Sequence, residues 1–210
     1  MIFNKPIKKI EKLSKYLSTV EDEMRYLKFT NREIILNMIT PQTAEEIDSL
    51  IRYWNEEDSK NIIAKSSRKT IKIFINAIDG DINSALLLVD SIKNSQTSVD
   101  TINIGTCYGN AMLVYLAGHK RCSYPNATFS YKYTSQIAEM VADDSDLPKF
   151  SLASIEEARL TTIKNLFIEK TKLNEGKFNK QIDSGFWFTA QTALDQFICN
   201  EILKGHYALN

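Results

Sequence analysis

Cysteine, histidine, glycine and proline are all scarce: the 210 residues include 3 Cys, 2 His, 7 Gly and 4 Pro. Cys107, Cys122 and Cys199 form no Cys-x-x-Cys pair, and His119 and His206 are far apart. An odd, dispersed set of thiols excludes a disulfide framework or structural zinc and points to a reducing compartment. Neither a metal site nor another cofactor is expected. Net charge is lacking too, since 26 basic and 26 acidic residues cancel. That removes the electrostatic footprint that nucleic acid or an anionic membrane surface requires. No apolar run reaches the roughly 18 residues of a membrane span. The first residues have no apolar stretch ahead of a small-residue cleavage site. The expected location is the cytoplasm.

What is present is enough apolar material, 43% of residues, for one sizeable core. Residues 7 to 27 space Ile10, Leu13, Leu17, Val20, Met24 and Leu27 by threes and fours among lysines and glutamates, the pattern of an amphipathic helix. They are set apart as an extension over 1–28, ahead of a domain over 29–210. From there strand and helix patterns alternate. Arg32–Ile39 reads as a strand, Pro41 opens a helix with Ile47, Leu50, Ile51 and Trp54 on one face, and Asn55–Thr70 reads as a polar connection. Ile71–Ile75 is a second strand and Ile82–Ile92 a second helix. Such alternation predicts an α/β fold of βαβ units on a largely parallel sheet.

The centre of the pattern is Gly105-Thr106-Cys107-Tyr108-Gly109-Asn110-Ala111-Met112-Leu113. A strand over Asp100–Ile104 is closed by Gly105, and a helix follows from Ala111 with Gly118 at its C-terminal end and basic residues beyond. A sharp strand-to-helix turn presents free backbone amides at the positive end of a helix dipole, which suits developing negative charge. A further strand runs from Ala127 to Tyr133, and Gln136–Ser154 is irregular, acidic and without glycine. Ser154-Ile155-Glu156-Glu157 has the form of a capping box opening a long helix that Gly176 stops.

Three segments resemble the proteolytic subunit of the Clp protease, a serine peptidase of crotonase-like fold. Lys72–Asp81 matches the strand that ends in a glycine-rich turn, Gly105–Gly118 the nucleophile turn and its helix, and Tyr124–Ala127 the lead into the strand bearing the histidine. The resemblance implies a handle helix protruding from the sheet, a heptameric ring or double ring, or mixed rings with active sisters, and an unfoldase partner. The segment 1–28 replaces a short axial loop, and Lys72 stands where an aromatic often lines the docking pocket, while Phe74 keeps the other.

The departures fall on the chemistry. By the resemblance the serine, histidine and aspartate positions are Gly109, Lys132 and Gly185. A triad needs a nucleophile, a base and an acid that orients the base, and glycine supplies no nucleophile. Lysine is a base only when burial depresses its pKa. The oxyanion hole is expected from the backbone amides of Asp79 and Asn110. Cys107, two positions before the nucleophile site, Ser130 beside Lys132, and Asp183 near the acid position are candidates for relocated chemistry; Lys132 and Asp79 are candidates for a charge pair filling the vacated pocket. Two classes of function remain. One is a non-catalytic ring subunit acting as scaffold or regulator of ATP-dependent proteolysis. The other is an enzyme, either a peptidase with relocated residues or an acyl-CoA enzyme of the same fold.

Overall fold

A computed structural model of the chain describes residues 19–133, 149–182 and 184–204. In chain order these form α1 (Val20–Asn31), β1 (Glu33–Leu36), α2 (Pro41–Lys60), β2 (Ile71–Ile78), α3 (Ile82–Asn94), β3 (Val99–Tyr108), α4 (Asn110–Ala117), β4 (Lys120–Ser123), β5 (Thr128–Tyr131), α5 (Lys149–Lys170), α6 (Glu175–Gln181), β6 (Phe186–Thr189), α7 (Ala190–Asp195) and β7 (Glu201–Ile202). The sheet is seven-stranded, with a parallel path β1-β2-β3-β4-β7. Strand β3 is longer than its neighbours and divides its pairing. Asp100–Asn103 bonds to β4, and Thr106–Tyr108 bonds in parallel to β5. Strand β6 then adds antiparallel to β5.

Alternation explains which face is covered. Along β2, Ile71, Ile73, Ile75 and Ala77 are buried, on the side packed by α4, while Lys72, Phe74, Asn76 and Ile78 point to the opposite, more open face. At the centre lies α4, whose residues from Ala111 to Ala117 are all buried, so no polar face is needed. Its C-terminal end packs against β3 so closely that a side chain on Gly118 would strike Thr101, whose hydroxyl donates to the Tyr115 carbonyl at 2.7 Å. Gly118 has φ −53°. Close approach, and not a left-handed cap, is what requires glycine there.

Several predicted boundaries move. The described part of the N-terminal helix runs from Val20 through position 28 to Asn31, so one helix crosses the predicted domain boundary; residues 7–18 lie outside the described residues. Helix α2 continues to Lys60, six residues into the predicted connection, because Asp58 turns inward. Its start is as expected, with Thr40 and Thr43 forming a reciprocal capping box before Pro41. Strand β3 passes through Gly105 to Tyr108, since Asn103 Oδ1 accepts from the Gly105 amide and Asn76 Oδ1 from the Thr106 amide, each at 3.1 Å. Ser154 is inside α5 and does not cap it, Gly176 lies within α6, and Phe186–Thr189 is a strand ahead of its helix. Most of 136–154 lies outside the described residues.

Two buried arginines tie the layers. Arg32, in a left-handed conformation (φ 56°) that ends α1, makes a two-pronged pair with Asp58 at 2.6 and 2.7 Å and also donates to the Lys69 carbonyl. Thr97 donates to the same carboxylate at 2.8 Å, which joins α2 to the start of β3. Arg121, on β4, has no carboxylate paired with it among the described residues. Its guanidinium donates to the carbonyls of Ile198, Phe197, Lys170 and, at 3.4 Å, Gly118. It therefore fastens the C-terminal end of α5 to the chain that leads into β7.

Aromatic packing holds α5 and α6 to β5 and β6. Phe167 touches Tyr131, Phe178 and Phe186 with ring centroids 5.0 to 5.6 Å apart. The Tyr131 hydroxyl, buried in this cluster, has no hydrogen-bond partner among the described residues. A buried unpaired hydroxyl costs about 1–3 kcal/mol. Tyr131→Phe, which removes only that oxygen, is expected to leave the fold intact and raise Tm by about 2–4 °C in a thermal melt.

Candidate functional site

The predicted turn is where β3 meets α4. Gly109 sits between them at φ 55°, ψ −133°, a backbone conformation hard for any residue with a Cβ. Its N–H donates to the Ser130 carbonyl at 2.9 Å, which anchors the turn to β5. The β2 end lies alongside, with Ile78 paired to Tyr108. Beyond it the chain reverses through Asp79 (φ 57°) and Gly80 (φ 137°). Glycine is needed at 80 because a Cβ would lie 2.7 Å from the Ile39 carbonyl oxygen.

Both amides assigned to an oxyanion hole have partners within the chain. The Asp79 N–H donates to the Tyr108 carbonyl at 3.0 Å, and the Asn110 N–H donates to the Asp79 carboxylate, also at 3.0 Å. The Asn110 side chain bonds the Gly80 carbonyl at 2.8 Å, closing the loop onto the turn. A carboxylate at the first amide of a helix is favoured by the helix dipole. The remaining site positions come together at the ends of β5 and β6. Lys132 follows β5 with its side chain exposed, and a Cβ on Gly185 (φ 88°) would lie 3.4 Å from the Lys132 Cβ.

The candidates for relocated chemistry fare unevenly. Cys107 is fully buried, and that burial pushes its thiol well above the ordinary cysteine range, so it stays protonated and away from solvent. Ser130 is 6% exposed on β5, between Tyr108 and Trp187 in register, while Lys132 beyond it faces solvent. The two share a strand face by spacing but not an environment. Asp183 lies outside the described residues. The expected charge pair is replaced: among the described residues no ion pair joins Lys132 to Asp79, whose carboxylate turns to the Asn110 amide. Lys72 has Glu33 3.9 Å away. No group of three or more His, Cys, Asp or Glu among the described residues is placed to hold a metal, and no described helix is long and apolar enough to cross a membrane.

Sequence reasoning missed two features. The first is the bond from the Asn110 amide to Asp79; the signal was the Asp79-Gly80 dipeptide after a strand, which marks a turn with positive φ. The second is an aromatic pair beside the turn. Trp187, 69% exposed, meets Tyr108 edge to face at 5.5 Å, and the Tyr108 hydroxyl pairs with Thr128. The predicted strand stops at Gly105, short of Tyr108, and periodicity along one strand does not bring β6 alongside.

The parallel sheet, the buried helix after the turn and the long helix α5 define a crotonase-like α/β protein. A model of the Clp protease family matches residues 56–206, well over half of the chain, and the chain belongs to that family. Among similar curated proteins is the ATP-dependent Clp protease proteolytic subunit 2 of Treponema denticola, 26% identical over 196 residues that span 89% of each chain. Subunit 3 of the same protease from Rhizobium meliloti is 26% identical over 79% of this chain and 80% of its own. Among solved structures, a ClpP1 mutant from Listeria monocytogenes aligns with a TM-score of 0.68 at 23% identity, covering 87% of this chain and 96% of that one. A Plasmodium falciparum peptidase aligns at 0.65 and 22% identity, over 86% and 99%. These structures share the fold.

Proposed function

We propose that this chain is a non-catalytic Clp-type subunit that assembles into rings, alone or with active sisters, and acts as a scaffold or regulator of ATP-dependent proteolysis. The observation that carries the reading is the turn itself. The residue at the nucleophile position is Gly109, and the amide that would meet an oxyanion is already bonded to Asp79. Lys132 and Gly185 occupy the base and acid positions, side by side but without an imidazole or a carboxylate between them. Assembly is supported by the open face of the sheet, where Ile35 and Ile78 are exposed beside Phe74. Exposed apolar residues grouped on a face mark a surface that packs against another chain. The relatives named above are themselves proteolytic subunits.

The test is hydrolysis of a panel of fluorogenic peptides by the purified chain, with Lys132→Ala and Cys107→Ala variants alongside and the oligomer checked by native mass spectrometry. The expected result is an intact oligomer with no turnover above either variant. Serine proteases without their triad retain only about 10³–10⁴-fold acceleration over water, from the oxyanion hole and binding. Here the hole's amides are engaged, so even that residue is expected to be absent. Turnover abolished by one of the two substitutions would overturn the reading and locate the chemistry.

A further inference from the structure

We infer that Asp79 is a built-in block of the turn: its side chain occupies the space of a nucleophile and its carboxylate holds the amide an oxyanion would need, so that restoring a triad alone cannot restore reactivity. The inference deepens the non-catalytic reading and rests on it.

The geometry leaves room for one group only. A Cβ placed on Gly109 would lie 2.6 Å from both Cγ and Oδ1 of Asp79 and 2.9 Å from its Cβ. Real Cβ atoms do not approach that closely, so a side chain at 109 and the Asp79 carboxylate exclude each other. Nor can the loop swing clear at small cost. Asp79 is tied through its own N–H to Tyr108, Gly80 is tied through its carbonyl to the Asn110 side chain, and the Asp81 N–H donates to the Ile39 carbonyl at 3.1 Å. Gly80 is itself pressed against the Ile39 backbone. The carboxylate is therefore fixed from both ends, at the first amide of a helix whose other residues are buried from Ala111 on. A bound anion would normally be expelled by a competing one. This one is covalently part of the chain and sits at an effective concentration that no diffusing group matches.

Two measurements decide it. The first is a double-mutant melting cycle of Gly109→Ala and Asp79→Gly. Alone, Gly109→Ala is expected to lower Tm by about 5 °C or more, through overpacking and the positive φ; in the Asp79→Gly background it should cost about half as much. The second restores the triad positions with Gly109→Ser, Lys132→His and Gly185→Asp, with and without Asp79→Gly, and treats each with a fluorophosphonate probe. In that labelling the introduced hydroxyl oxygen bonds to phosphorus, fluoride leaves, and the hydroxyl proton passes to the introduced imidazole. Freeing one oxyanion donor is expected to speed labelling about 10²-fold, so only the variant that also carries Asp79→Gly should label readily. Additive melting costs, or equal labelling with and without Asp79→Gly, would overturn the block. Neither result touches the absence of turnover in the unaltered chain, which the peptide panel tests separately.

Discussion

Replacing Asp58 by alanine is expected to lower Tm by about 10 °C, among the largest effects of any single substitution in this chain. The reason is the charge left behind. Asp58 is 0% exposed, and Arg32 reaches it through two hydrogen bonds while itself nearly buried. Removing one partner of a buried pair costs about 3–5 kcal/mol, mostly because the other charge remains without compensation. The control is the double variant Arg32→Met, Asp58→Leu, which removes both charges and is expected to recover most of the loss. The same pair predicts an acid limb. Burial works to raise the Asp58 pKa, but the hydrogen bonds from Arg32 and Thr97 outweigh it and hold the carboxyl below its ordinary value of 3.8. A carboxyl held low in the folded state contributes its full stability above the unfolded value and loses it as pH falls through the folded one. Melts between pH 5 and 2 should therefore show a loss of stability that sets in near pH 4 and is absent from Asp58→Asn.

Arg121→Met is expected to be comparably damaging, by about 3 kcal/mol or more, and for a different reason. Here no carboxylate among the described residues pairs with the arginine. Among the described residues it is the side chain that donates to the carbonyls of Ile198, Phe197 and Lys170, at 2.9 to 3.0 Å. Without it those oxygens, one buried and two part-buried, face an apolar group. Arg121→Lys is expected to rescue little, because a single ammonium cannot place three donors in the plane of the guanidinium fork. Denaturant melts give the stability loss for both. Because the Lys170 carbonyl ends α5, the same variants should loosen that helix at its base.

The alternation of strands and helices was legible because each strand has one covered face, and period-two burial is written directly in Ile71, Ile73, Ile75 and Ala77. What escaped was decided by residues distant in sequence. Gly105 reads locally as a stop, yet Asn76 from the neighbouring strand catches the amide after it and carries β3 onward. Arg32 and Asp58 are 26 residues apart, so nothing near Asp58 signals that the helix must continue until that carboxylate faces inward. Ser154 has the composition of a cap, but a capping residue acts only where a helix begins, and this helix already began at Lys149. At the site, Gly109, Lys132 and Gly185 were found through the resemblance, and the structure places them at one end of β3, β5 and β6. The Asp79-Gly80 dipeptide signals a turn with positive φ, but not that its carboxylate reaches the Asn110 amide 31 residues on.

The conformation of Gly109 also sets a direction on change. A serine held at φ 55° carries backbone strain of about 1–3 kcal/mol, which glycine removes. Loss of a nucleophile at this turn is thus downhill in stability, and a chain that has taken the step has vacant space beside the helix. A carboxylate that fills it and caps the helix is a second downhill step. The reverse path is uphill, and least so when Asp79 is replaced first, since a side chain at position 109 meets the Asp79 carboxylate. On the non-catalytic reading proposed above, Gly109 and Asp79 are two substitutions, each acceptable to folding, that act together as a ratchet.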